Sequence, residues 1–132
     1  MLSEILYDKL ALLAVKKGVN LQKDQPLIIR ANLRDADFVR KIVRIAYENG
    51  AKRVKVDWRD EEINKMDYQY QSKETLSSVP QWAYDRTKLE HDEHCAYLSI
   101  DSDQPGYLAD VDNEKLNAYQ QAYYRKMADL MP

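Results

Sequence analysis

Shortages of cysteine, glycine and long apolar runs narrow the class of this 132-residue protein before any motif is considered. Its single cysteine excludes a disulfide framework and a cysteine-rich zinc site. The three glycines, Gly18, Gly50 and Gly106, lie too far apart for a dinucleotide-binding fingerprint or a P-loop. No apolar run approaches the roughly 18–20 residues that cross a bilayer. Residues 1–4 lack the basic segment of a signal peptide, so we expect a cytoplasmic protein without a membrane partner.

The charge balance excludes a further class. The sequence has 20 basic and 22 acidic residues, a net charge of −2, whereas nucleic-acid-binding domains are strongly basic. We therefore expect no nucleic-acid partner. Apolar residues make up 45% of the chain and charged residues 32%, which together with the length predicts one globular domain spanning residues 1–132.

Helical and strand patterns alternate along the chain. Apolar side chains at helical spacing precede Gly18, and Asp35 can cap a second helix that ends before Gly50. A short apolar run follows Pro26, as in a strand buried on both faces. The predicted helices cover residues 2–17, 35–49, one or two segments within 59–78, 80–90 and a last stretch after Asp112; the predicted strands cover 27–29, 54–58 and 96–100.

This alternation predicts an α/β fold with three layers, in which helical crossovers join the strands of a mostly parallel sheet. The first strand is apolar throughout, which favours a central position. The second alternates between apolar and charged residues and so belongs at a wetter edge. These differences favour the strand order 2-1-3 for a sheet of at least three strands.

A strand order of 2-1-3 places a ligand crevice between strands 1 and 3, beyond their carboxyl ends. The loops at that point contain polar side chains that could bind a substrate. They are Asn32, Arg34, Asp101, Ser102 and Asp103. This prediction follows from the fold class and does not identify the chemistry of the ligand.

The stretch from His91 to His94 contains the two histidines of the sequence and resembles a metal site. Its spacing differs from the H-E-x-x-H pattern that places two imidazoles on one zinc. It also lies at a helix–strand junction, and no third ligand can be located. A solvated polar loop explains it better, so we predict neither metal ligands nor catalytic residues on this chain.

The last helix carries an apolar stripe formed by Tyr119, Tyr123, Met127 and Leu130. Tyrosine tolerates half-wet interfaces, so this stripe could meet another domain or subunit, although ordinary partial burial explains it equally well. A strand should follow the last helix in an alternating chain, which favours a longer protein. The alternative is a complete domain whose last helix packs back on the sheet.

Residues 37–61, DFVRKIVRIAYENGAKRVKVDWRDE, resemble the N-terminal region of the thermophilic metallo-aminopeptidases: aminopeptidase T, aminopeptidase S and PepS. Three further stretches agree in order and pattern, and together they favour PepS-like members. They are the helix over 10–18 with the following residues 19–29, the strand and loop over 97–103, and residues 110–116.

The resemblance implies an enzyme that releases N-terminal amino acids from peptides, using two divalent metal ions such as zinc, cobalt or manganese. It also implies a cytoplasmic homodimer whose metal ligands lie in a C-terminal domain. Nothing in the 132 residues matches those ligand motifs, so this chain resembles the N-terminal α/β domain, which helps form the substrate cavity, and is expected to be inactive alone. Two alternatives stay open: a self-contained binding or interaction module, and an unrelated small enzyme that uses the 101–103 loop.

Overall fold

The computed structural model describes residues 2–130, with side chains from residue 4 onward. These residues form two compact units, which are described separately. Unit 1 contains residues 2–59 and His94–Ser102, and unit 2 contains Asp60–Glu93 and residues 103–130. The helices are α1 (Leu2–Leu13), α2 (Ala36–Glu48), α3 (Glu61–Tyr70), α4 (Lys73–Leu76), α5 (Gln81–Asp92) and α6 (Asn113–Met127), and the strands are β1 (Leu27–Asn32), β2 (Val54–Arg59) and β3 (Ala96–Ile100).

Unit 1 is built on a parallel three-stranded sheet in the order β2-β1-β3, which confirms the predicted fold class and strand order. Ile29 at the middle of β1 lies opposite Val56 of β2 and Leu98 of β3. The core forms on the side of the sheet where α1 and α2 pack. Its fully buried members include Leu27, Ile29, Val39, Ile42, Ala11 and Val15.

The apolar run 27–29 is buried on both faces of the sheet, as predicted, since Leu27, Ile28 and Ile29 are all buried. The strand extends through Asn32, and Arg30 within it is exposed. The Arg30 guanidinium lies 4.8 Å from the centre of the Tyr97 ring. Successive strand residues face opposite sides of the sheet, so Leu27 and Ile29 face the core of unit 1, while the buried Ile28 and the exposed Arg30 lie on the other face. The strand is central, as predicted, because it pairs with a neighbour on each side.

The first helix also differs from its prediction. Regular α-helix ends at Leu13, and Ala14–Gly18 continue as a wider π-helical turn. Val15 within this turn is fully buried, so the apolar spacing that predicted a helix to residue 17 reflects real core contacts. The Val19 amide donates to the Ala14 carbonyl at 2.9 Å and closes the turn.

Unit 2 consists of helices α3 to α6 and their connections. Its cluster of buried side chains comprises Tyr68, Leu76 and Val111. The prediction of one or two helices within 59–78 is confirmed by α3 and α4. The predicted cap at Asp112 is also confirmed, since its carboxylate accepts from the Glu114 amide at 2.9 Å. Within residues 2–130, every helix is too short or too polar to span a lipid bilayer.

Gly50 ends α2 in a conformation that side chains disfavour, with φ at +95°. We expect Gly50→Ala to lower the free energy of unfolding by about 1–2 kcal/mol, because a Cβ penalises the left-handed region. Steric exclusion is not the cause, since an added Cβ would lie 3.5 Å from Lys23 Cα, an ordinary contact. Urea unfolding measures the difference. Gly18→Ala is the control, because its nearest neighbour would be 3.9 Å away and its backbone is helical; equal losses in both variants would contradict the argument.

Candidate functional site

The carboxyl ends of β1 and β3 lie side by side, as the strand order predicted. Ala31 of β1 pairs with Ile100, the last residue of β3, and β1 ends one residue later at Asn32. This point is the topological switch of the sheet, because the chain continues from β1 to β2 on one side and reaches β3 on the other. Asn32 is the last residue of β1 there and Arg34 lies just beyond it, while Asp101 and Ser102 follow β3.

Three side chains and one carbonyl form a hydrogen-bonded latch between these two chain segments. Arg34 Nη1 donates to the Ser102 carbonyl at 3.1 Å, and Ser102 Oγ donates to the Asp35 carboxylate. Nearby, the Arg59 guanidinium lies 3.8 Å from the Asp101 carboxylate. The structure therefore joins Arg34 to Ser102 by a hydrogen bond and places Asp101 beside Arg59, and these contacts hold the loops at this edge of the sheet.

The prediction that Asp35 caps α2 with its side chain is wrong. Asp35 occupies the position before the helix, but it makes no capping hydrogen bond, because its carboxylate accepts from Ser102 instead. Asn32 does the capping one turn earlier, where its side-chain oxygen accepts from the Arg34 amide at 3.4 Å. Asn32 is only 2% exposed, so this candidate residue is a buried structural cap.

Asp103 opens the second segment of unit 2 and is therefore described apart from the other candidates. Its neighbour Gln104 donates its backbone N–H to Glu61 Oε1 at 3.0 Å. Glu61 is 8% exposed, a rare burial for a carboxylate, and the sequence analysis did not single it out. In the sequence, Glu61 is marked only by its position directly after Asp60. Asp60 caps α3 by accepting from the Ile63 amide.

A cavity of about 310 Å³ opens in unit 1 between α1 and the start of α2. It adjoins the latch, since Arg34 and Asp35 contribute to both. Sequence reasoning found Arg34 but missed the part of the wall that α1 supplies. The lining residues are Glu4 and Tyr7 from α1, Arg34 and Asp35 from the loop, and Asp37, Phe38 and Lys41 from α2.

The cavity wall carries charges of both signs. Lys41 Nζ lies 2.7 Å from Glu4 Oε2 and 3.0 Å from Asp8 Oδ1, and these hydrogen bonds raise the pKa of Lys41. Asp37 pairs with Arg40 at 2.8 Å on the surface. Lys41 therefore ties α1 to α2, whereas Asp37 keeps its carboxylate in solvent.

An aromatic pair completes the wall. The rings of Tyr7 and Phe38 are 5.6 Å apart between centroids and inclined by 54°, a favourable tilted arrangement. Phe38 is half-buried against the core of unit 1, and Tyr7 is 47% exposed. The cavity thus offers an apolar surface beside charged groups.

The described residues do not fit a metal centre. Between residues 2 and 130, no group of three or more histidine, cysteine, aspartate or glutamate side chains could hold an ion. His91 is exposed near the end of α5, where its Nδ1 lies 3.7 Å from Asp92 Oδ1. His94 occupies a turn before β3 with φ at +56°. No chemical step through a metal is therefore assigned to these residues.

Comparison with known proteins decides the family. Residues 4–131 match the family described as thermophilic metalloprotease (M29). The chain belongs to this metalloprotease family. Over 113 residues it is 40% identical to aminopeptidase AmpS of Bacillus subtilis, covering 85% of this chain and 27% of that protein. Over 118 residues it is 32% identical to aminopeptidase T of Thermus thermophilus, covering 89% of this chain and 29% of that one.

A solved structure agrees with these sequence relatives. Wild-type AmpT from Thermus thermophilus superposes with a TM-score of 0.82 at 31% sequence identity. The match covers 94% of this chain and 31% of that one. This member of the metalloprotease family therefore spans less than a third of the length of the aminopeptidases that it resembles, and it matches their N-terminal region.

Proposed function

We propose that this chain is the N-terminal α/β domain of a PepS-like metallo-aminopeptidase, an enzyme that releases N-terminal amino acids from peptides. In this proposal the domain shapes the substrate cavity, and residues outside these 132 hold the catalytic metals. The observation that carries it is the extent of the match: residues 4–131 fit the family, yet they correspond to about 27–31% of the relatives' length.

The proposal places the metal site outside this chain because of what two-metal hydrolysis requires. Such a site needs several carboxylates and imidazoles that converge on metal ions roughly 3.5–4 Å apart. The sequence offers two histidines. Both are placed by a helix end and a turn rather than by a shared cavity. The proposal therefore assigns the two divalent ions, zinc, cobalt or manganese, to a C-terminal domain.

The rest of the proposal concerns the setting in which such an enzyme works. Peptides are its substrates, the full-length enzyme is a homodimer, and it acts in the cytoplasm. The aminopeptidase names of the relatives support the substrate class.

The experiment that tests the proposal joins this chain to the part that it lacks. Residues 4–130 replace the matched segment of Thermus thermophilus aminopeptidase T, and the chimera is assayed on a leucyl chromogenic substrate with zinc, cobalt or manganese. We expect metal-dependent hydrolysis by the chimera and none by the 132-residue chain alone. The same aminopeptidase without its matched segment is the control, and it should lose most of its activity because its cavity is incomplete.

Two results would refute the proposal. One is a folded chimera that binds metal yet has no more activity than the truncated control, which would show that this domain cannot replace the matched segment of aminopeptidase T. Metal-dependent turnover by the isolated chain, lost on His91→Ala or His94→Ala, shows that the site lies within these residues after all.

The alternative, a self-contained binding module without peptidase activity, is favoured by one observation, the cavity between α1 and α2. A binding module predicts ligand binding by the isolated chain together with an inactive chimera. The chimera assay and a binding titration on the chain therefore distinguish the two functions.

A further inference from the structure

We propose that Asn49–Gly50, at the end of α2, is a deamidation site that the fold keeps closed. The pair is protected while the helix end is formed, and Asn49 converts to aspartate and isoaspartate when that end opens. This is the one Asn-Gly step in the 132 residues. Water is the co-reactant, and the inference does not depend on the proposed function, because it concerns the chemistry of this chain alone.

The reaction is an intramolecular displacement followed by hydrolysis. The Gly50 backbone nitrogen attacks the side-chain carbonyl carbon of Asn49, so that a nitrogen–carbon bond forms and the Cγ–Nδ2 bond breaks. The Gly50 nitrogen loses its proton, while Nδ2 gains one and leaves as ammonia. Water then opens the five-membered succinimide ring at either carbonyl, which gives aspartate or isoaspartate. Glycine favours the attack because it has no Cβ to shield its nitrogen.

Both reacting groups are engaged elsewhere in the structure. Asn49 Nδ2 donates to the Ile45 carbonyl at 2.7 Å, which turns the side-chain amide back along the helix. The Gly50 N–H donates to the Tyr47 carbonyl at 3.1 Å. This second hydrogen bond must break before the nitrogen can lose its proton and attack. The nucleophile and its target are therefore both held away from the reaction.

The backbone of Asn49 adds a geometric barrier. Closing the succinimide ring requires the Gly50 nitrogen to eclipse the Asn49 Cβ about the Cα–C bond. The ψ angle of Asn49 is +16°, so the Gly50 nitrogen nearly eclipses the Asn49 nitrogen instead. Because Cα is tetrahedral, the Cβ lies about a third of a turn from that position. The reaction therefore needs a rotation that takes Gly50 out of its place at the helix end.

Hydrogen bonds on both sides of the pair oppose that rotation. The Ala51 N–H donates to the Ala46 carbonyl at 3.0 Å, and the Gly50 carbonyl accepts from the Asp24 N–H at 2.7 Å. Moving Gly50 breaks these contacts together with its own hydrogen bond to Tyr47. Helix ends nevertheless open locally at a lower free-energy cost than the whole fold, so a small open population supplies the reactive form.

The product cannot rebuild the helix end. An aspartate carboxylate has no hydrogen to donate to the Ile45 carbonyl, and it places a negative charge at the C-terminus of α2, where the helix dipole is already negative. Isoaspartate lengthens the main chain by one carbon, which shifts the Gly50 carbonyl relative to the Asp24 N–H. Deamidation therefore stabilises the open form from which it arises.

The test follows deamidation by mass spectrometry while the 132-residue chain is incubated at neutral pH, with and without guanidinium chloride. Trypsin cuts after Arg44 and Lys52, so the peptide 45–52 reports on Asn49 alone, and chromatography separates its aspartate and isoaspartate forms. We expect deamidation to be at least about tenfold slower without denaturant, because only the open population reacts. Gly50→Ala should suppress the reaction in denaturant, since its Cβ shields the nitrogen.

Asn117 is the internal reference, because it is exposed and is followed by alanine rather than glycine. It should deamidate slowly under both conditions. The consequence of the reaction is measured on Asn49→Asp, which should unfold at a lower denaturant concentration than the unmodified chain. Asn117→Asp is its matched control, since it makes the same change on the surface of α6, and it should leave the midpoint unchanged.

Three results overturn the proposal. Equal deamidation rates at Asn49 with and without denaturant show that the helix end gives no protection. A rate at Asn49 in denaturant no higher than that at Asn117 shows that the pair is not a reactive site. Equal unfolding midpoints for Asn49→Asp and Asn117→Asp show that the turn accepts the product as well as it accepts asparagine.

Discussion

Ile29→Ala is expected to lower the free energy of unfolding of unit 1 by about 3–4 kcal/mol. Ile29 is fully buried at the centre of β1 and lies between Val56 and Leu98 of the neighbouring strands. Truncating a buried isoleucine removes its transfer free energy and leaves a cavity, for a combined cost of about 2–5 kcal/mol. The upper half of that range applies because strands pair on both sides of Ile29 and helices pack over the same core, which limits relaxation.

Ile5→Ala is the matched control, because it makes the same chemical change at a side chain that is 55% exposed in the same unit. It should change the free energy of unfolding by less than about 0.5 kcal/mol, as surface substitutions usually do. Urea unfolding followed by circular dichroism measures both variants. A loss below about 1 kcal/mol for Ile29→Ala would show that the sheet is not the centre of the core, as would equal losses in the two variants.

The sheet could be predicted because its signals are local. The apolar run that begins at Leu27 and the alternating pattern of β2 separate a central strand from a wet edge, and Gly50 marks the end of α2. The end of β1 was less predictable. The polar residues Arg30 and Asn32 interrupt the apolar run, so the predicted strand ended at Ile29, whereas pairing with β2 continues it to Asn32.

The candidate site was predictable only in part, because its contacts join distant segments. Ligands of parallel α/β sheets bind beyond the carboxyl ends of the strands, and applying this rule requires only the strand order. It located Asn32, Arg34, Asp101 and Ser102. Asp35 does not cap α2 but accepts a hydrogen bond from Ser102, 67 positions away. This contact depends on how two distant loops meet. No local pattern contains that information.

The charge patterns of α1 and α2 could have predicted that these two helices pack together and line the cavity. Glu4 and Asp8 are four residues apart and so share one face of α1, while Lys41 and Arg44 share one face of α2. Complementary charges on two faces predict that the helices pack with those faces together. In the structure Lys41 contacts both carboxylates, and Arg44 Nη2 lies 3.9 Å from Asp8 Oδ1.

The apolar surface of the chain is exposed on a different helix from the one expected. The sequence placed an interaction stripe on α6, yet Met127 of that stripe is 2% exposed, and Tyr119 packs edge-on against Tyr68. The partial burial weighed as the alternative describes α6 better. Exposed aliphatic side chains instead cover the outer face of α1, namely Ile5, Leu6, Leu10, Leu12 and Leu13, each between 41% and 55% exposed.

We expect the 132-residue chain to self-associate through α1 in a concentration-dependent manner, and Leu6→Glu with Leu10→Glu to restore a monomer. Leu6, Leu10 and Leu13 follow the i, i+4, i+7 spacing of one helical face. Apolar patches of several hundred Å² mark surfaces that other molecules cover. Analytical ultracentrifugation measures the change, and the double variant should stay folded because both leucines are about half exposed.

Leu89→Glu on α5, where Leu89 is 64% exposed, is the control. If Leu89→Glu dissociates the chain and the α1 variant does not, the associating surface belongs to α5; if the unmodified chain is monomeric at every concentration, the exposed face of α1 tolerates water without a partner.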